Sequence, residues 1–101
     1  MAEFVPVASV DDVPPGSGKV VQAGARLLAL FNVDGRFYAL DNTCLHRGGP
    51  VGDGDLEGTI VTCPWHGFQY DVTTGRNLFD PEVGLETFPV RVADGQVQVA
   101  V

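Results

Sequence analysis

Histidine and cysteine are scarce in this 101-residue sequence, which holds two of each. Two cysteines cannot build the multi-bridge framework of a small secreted domain. Basic residues are also few: six Lys and Arg stand against 13 Asp and Glu, a formal net charge of −7. Nucleic acid and anionic membrane surfaces attract positive charge, so both are disfavoured as partners. No stretch approaches the roughly 18 consecutive apolar residues that suggest a membrane span. The opening Met1-Ala2-Glu3-Phe4-Val5-Pro6 lacks the basic and apolar regions of a secretory signal, so the expected compartment is the cytoplasm. There is no internal repeat, no low-complexity segment and no convincing helical period. A single domain with a modest core is the expectation at this length.

What the sequence does have is β pattern from end to end. Residues 4–8, 19–22, 26–33 and 36–40 read as strands rich in Val, Leu and aromatics. Asp34-Gly35 separates two of them and signals a tight hairpin, because both central residues of a type I′ turn need positive φ. Asp94-Gly95 repeats the signal between 89–93 and 96–101, where Val97, Val99 and Val101 alternate as in a half-buried strand. Shorter strands are predicted over 58–63 and 68–72, with Thr73-Thr74-Gly75 as a turn. Asp11-Asp12 reads as the start of one short turn, and residues 12–18 as a loop. The fold class is therefore all-β.

The scarce residues are not scattered. Cys44-Leu45-His46 reads C-x-H, Cys63-Pro64-Trp65-His66 reads C-x2-H, and sixteen residues separate His46 from Cys63. Each cluster offers one thiolate and one imidazole. Buried filler is the bland account of a cysteine, but it must explain two Cys-His pairs, each followed by glycine (Gly48-Gly49 and Gly67). A zinc finger places two cysteines on one knuckle and two histidines on the other. Here the ligand types are mixed within each knuckle, although a tetrahedral S2N2 set also suits zinc. A mixed pair fits a two-iron cluster in which two histidines replace two cysteines on one iron. The metal ligands expected are Cys44, His46, Cys63 and His66.

Through Cys44–Pro50 (CLHRGGP) and Cys63–Asp71 (CPWHGFQYD), the chain resembles the Rieske-type 2Fe-2S ferredoxins of the low-potential, oxygenase-associated class. The likeness covers nearly all of it. The resemblance implies a small three-layer antiparallel β fold, one domain over 1–101. Its two cluster loops would lie in a subdomain of about 41–81, on a base of 1–40 and 82–101. It implies one 2Fe-2S cluster per chain and the work of a one-electron carrier, not an enzyme in itself. The implied partners are a flavin-dependent reductase and a terminal oxygenase, with the chain itself a monomer. A terminal oxygenase is excluded, because its 2-His-1-carboxylate iron site would need further histidines. The runner-up is a small Rieske subunit of a larger oxidoreductase such as assimilatory nitrite reductase; a structural zinc module is third.

Residues around the ligands carry further expectations. Gly48, Gly49 and Gly67 would allow close backbone approach and N–H donation to sulfur, or simply form turns. Trp65 would shield the cluster or face a partner. Arg47 resembles the arginine after the first histidine in oxygenase-type Rieske domains, where it would meet a partner carboxylate; otherwise it is a solvated charge. Pro81, with Phe79 and Asp80, would form a third covering loop. The carboxylates of Asp53, Asp55, Glu57, Asp71, Asp80 and Glu82 lie near the motifs in sequence and would steer a basic partner.

Charge sets the redox expectation. Two ferric ions, two sulfides, two thiolates and neutral imidazoles sum to zero, so an added electron meets less repulsion than in a four-cysteine cluster. The potential then lies at about −150 to +300 mV instead of roughly −400 mV. The Rieske proteins of respiratory complexes add a disulfide and a serine hydroxyl; the matching positions here are Gly49, Trp65 and Phe68. Tyr70 matches their tyrosine that bonds a cysteine sulfur. With two potential-raising features missing, a value near −150 mV is expected.

Overall fold

Two Asp-Gly pairs frame the chain in its computed structural model, which describes residues 3–43, 49–65 and 67–101. Asp34 and Gly35 sit at φ 51° and 93°, and Asp94 and Gly95 at 54° and 75°. These left-handed values are what a type I′ turn demands. The first pair joins β3 (Arg26–Val33) to β4 (Arg36–Asp41), in register from Val33–Arg36 to Leu28–Asp41. The second joins β9 (Val90–Ala93) to β10 (Gln96–Ala100).

The β3–β4 hairpin is the middle of a four-stranded antiparallel sheet, completed by β2 (Ser17–Ala23) and β8 (Thr87–Phe88) in the order β2-β3-β4-β8. Alternate side chains of this sheet enter two different cores. Leu28, Leu30 and Ala39 join Val13, Val21, Val97 and Val99 on one side. Ala29, Phe31 and Leu40 join Val51, Val61, Cys63, Tyr70, Val72 and Leu85 on the other. Burial on both faces is why Leu28–Phe31 reads as an unbroken apolar run rather than an alternation. A fully buried Leu or Phe of this kind stabilises the fold by about 1.5–3 kcal/mol.

Each core is closed by a smaller antiparallel sheet. On the first side lie β1 (Phe4–Ser9), β10 and β9 in the order β1-β10-β9. Val97 and Val99 point inward from β10 and are fully buried, as the alternation predicts. On the second side lie β5 (Asp55–Glu57), β6 (Ile60–Thr62) and β7 (Gln69–Asp71) in sequence order. The expected all-β architecture in antiparallel layers is therefore present. Among the described residues the helical content is two 3-10 turns, Val10–Asp12 and Val51–Asp53. No helix there is long and apolar enough to cross a membrane.

Two strands escaped the sequence reading. Asp-Leu-Glu has poor strand propensity, yet β5 forms because Leu56 pairs with Val61 and packs on the second core. Thr87–Phe88 pairs with Leu40 and Ala39 for two residues only. Pro89 then ends that ladder, having no N–H to give, and the chain crosses to the outer sheet as β9. The strands flanking the second motif are shorter than predicted. Gly58 turns at φ 61°, and Cys63 and Phe68 leave the ladder to close a loop.

Candidate iron-sulfur site

The first motif loop is tied at its base by the residue before it. Asn42 is buried at 7% exposure. Its carbonyl accepts the Val51 N–H at 2.9 Å, and its Oδ1 accepts the Gly52 N–H at 2.8 Å. Thr43 bridges to Pro50, and the Thr43 N–H donates to Asp41 Oδ1 at 3.0 Å. The chain thus leaves and returns at one fixed point at the end of β4. Cys44, His46, Arg47 and Gly48 lie between, outside the described residues, as does His66 of the second motif.

The second motif loop springs from the β6–β7 hairpin. Cys63 follows β6, is 1% exposed, and donates its N–H to the Phe68 carbonyl at 2.7 Å. Gly67 sits at φ 73° with open space where a Cβ would project. Among the described residues its glycine answers to the turn. Tyr70 on β7 pairs with Val61 and is fully buried in the same core as Cys63.

Gly49 brings the two loops together. A Cβ there would stand 2.9 Å from Trp65 Cβ and Cγ and 3.0 Å from Cys63 Sγ. These distances are below van der Waals contact, so only glycine lets the first loop lie this close to the second thiol. The close-approach reading of Gly49 is the one its surroundings require. Trp65, backed by this glycine, is 49% exposed. Half of its surface faces solvent, so it is not an interior aromatic.

A third loop stands beside these, organised by Asn77. Asn77 is 3% exposed, and its Oδ1 accepts the N–H groups of Phe79 at 2.8 Å and Asp80 at 3.1 Å. Its own N–H donates to the Val83 carbonyl at 3.0 Å. The Phe79 ring meets Phe68 edge-on, 6.4 Å between centroids at 63°. Pro81 is exposed, and its carbonyl accepts Arg76 Nη1 at 2.6 Å. Asn42 and Asn77 are the residues sequence reasoning missed. The signal was there in kind: Asn beside a motif or ahead of Asp-Pro marks a side chain that bonds nearby backbone.

The ion pairs among the described residues join Arg26 to Asp41 at 3.8 Å and to Glu86 at 3.1 Å. Asp53, Asp55, Glu57, Asp80 and Glu82 have no cationic partner among those residues. Among the described residues these carboxylates near the motifs therefore stand without an ion pair.

Residues 3–89 match the family model of the Rieske 2Fe-2S domain. The chain belongs to the Rieske family. A ferredoxin component of naphthalene 1,2-dioxygenase/salicylate 5-hydroxylase systems from Ralstonia sp is 35% identical over 97 residues, covering 95% of this chain and 93% of that one. A chain in the solved complex of reduced oxygenase and oxidised ferredoxin in carbazole 1,9a-dioxygenase superposes with a TM-score of 0.86 at 36% identity, covering 96% and 92%. A chain described as an NADH-dependent nitrite reductase small subunit from Mycobacterium tuberculosis superposes at 0.90 with 27% identity, covering 100% and 96%. The cofactor of this Rieske domain is a 2Fe-2S cluster. The residues present fit it: a buried thiol ends one loop, a side-chain-free neighbour lets the other loop approach its sulfur, and the sequence supplies a mixed thiolate and imidazole donor set.

Proposed function

We propose that this Rieske chain carries single electrons from a flavin-dependent reductase to an oxygenase. In this reading Cys44 and Cys63 hold one iron and His46 and His66 the other, with residues 41–81 as the cluster-binding part and 1–40 with 82–101 as the base. The observation that carries the proposal is the packing of the Gly49 backbone against Cys63 Sγ. That contact sets the two Cys-His loops side by side in a chain that aligns end to end with ferredoxin components.

When bound, the cluster supplies a one-electron couple. The protein's own residues then have separable tasks. Asn42 and the Cys63–Phe68 hydrogen bond fix the loop bases. Tyr70 and Val61 wall off the Cys63 side from water, which keeps local electrostatics strong. Gly48 and Gly67 complete the loops, Arg47 meets a carboxylate on the partner, and Pro81 belongs to the covering loop. The carrier acts as a monomer in the cytoplasm. A second reading, a small subunit of a nitrite reductase, is favoured by the 0.90 superposition but at lower identity.

Iron and sulfide analysis with voltammetry tests the proposal. Two iron and two sulfide per chain are expected, with a midpoint near the low end of the Rieske range, around −150 mV. One zinc per chain, or a midpoint above about +100 mV, would contradict it. Purification in complex with a large reductase instead of alone would favour the second reading.

A further inference from the structure

Beside the second motif loop, the third loop leaves a groove of about 710 Å³. Phe68, Phe79 and Val83 give it an apolar floor, and Asp80 and Glu82 stand at its lip. Phe79 is 73% exposed and Val83 44%. A large aromatic left this open contributes little to folding, since most of its surface stays in water.

It is nevertheless held in place. Asn77 Oδ1 accepts the Phe79 and Asp80 N–H groups, and the Val83 N–H closes the loop on the Asp80 carbonyl at 3.1 Å. A pre-organised exposed aromatic loses little freedom when a partner covers it, and such residues anchor interfaces. The lip defines the partner's charge. Neither Asp80 nor Glu82 has an ion pair among the described residues. Arg76, the cation tied to this loop, donates to the Pro81 carbonyl and pairs with neither carboxylate.

We propose that this groove docks the electron-accepting protein through an apolar side chain flanked by Lys or Arg on that partner. The inference rests on the carrier reading above and adds to it the contact surface and its chemistry. A second copy of this chain is disfavoured as occupant, because its own acidic lip would face this one. An anionic membrane is disfavoured for the same reason.

The probe is cytochrome c, a strongly basic haem protein, titrated calorimetrically into the purified oxidised protein at low ionic strength. Phe79→Ala should weaken binding about tenfold and Phe79→Leu much less, because an apolar side chain still fills the groove. Glu82→Gln should weaken it by roughly two- to fivefold, with the loss fading as salt is added. The control variants Asp94→Asn and Val92→Ala, on the outer sheet, should stay within about twofold of wild type. Groove variants that bind like wild type, controls that weaken as much, or no binding by the wild type at all would each overturn the docking surface. Iron and sulfide content, measured on the same samples, separates the two claims. An intact 2Fe-2S protein with unaffected groove variants refutes the groove alone, whereas a zinc protein refutes the carrier reading beneath it.

Discussion

From Ser17 to Ala23 each residue of β2 has its partner on β3, and β3 in turn is paired along β4. Among the described residues between Thr43 and Gly84 the ladders are three residues long or isolated bridges, and side chains take over their work. Asn42 and Asn77 each accept backbone N–H groups that no strand reaches. The base is thus held by repetition, which tolerates the loss of a single bond. Among the described residues the site is held by individual contacts such as those of Asn42 and Asn77. A loop that must present ligands cannot also be a strand, because its backbone has to turn toward the bound group.

The two regions share one wall, and that is where the largest effect is expected. Phe31 belongs to the central sheet but is fully buried in the site-side core with Cys63 and Tyr70. Phe31→Ala should cost about 3–5 kcal/mol and lower the denaturant midpoint for base and site together. A variant that lost its cluster with an unchanged melt would show the two regions to be independent.

Asn42→Ala comes next, because it leaves the Gly52 N–H buried without its acceptor, at a cost of about 1–3 kcal/mol. Here iron content should fall more than far-ultraviolet ellipticity, since the long ladders remain. Equal loss of both would place Asn42 in the general scaffold.

Two glycine substitutions sharpen the contrast. Gly49→Ala forces a methyl to within 3.0 Å of Cys63 Sγ, overpacking of the sort that costs about 1–3 kcal/mol. It should reduce cluster occupancy and shift its absorption in addition to lowering the melting temperature. Gly35→Ala meets no atom but must hold φ 93°, at about 1–2 kcal/mol. It should lower the melting temperature and leave the cluster spectrum alone. Interchanged outcomes would mean that the site is not built as described.

The base was readable in the sequence because its signals are periodic. Asp34-Gly35 and Asp94-Gly95 fixed two hairpins, and Val97 and Val99 fixed the inward face of β10. β5 and β8 were not legible, since Asp55-Leu56-Glu57 becomes a strand only through the pairing of Leu56 with Val61, and Thr87–Phe88 is too short to show a period. At the site the motif residues were visible as types. Their supports, Asn42 and Asn77, were not, because an asparagine's role depends on which distant backbone turns toward it. Gly49 was noticed, but its need to clear Trp65 and Cys63 is a tertiary fact.

The central claim is that two imidazoles and two thiolates, one of each from either loop, hold a two-iron cluster. Pulsed electron paramagnetic resonance on the dithionite-reduced protein tests it most directly. Two coupled nitrogens are predicted, one lost in His46→Ser and one in His66→Ser if either variant keeps its iron. A reduced two-iron signal without coupled nitrogen, or a protein with one zinc and no such signal, would contradict the account.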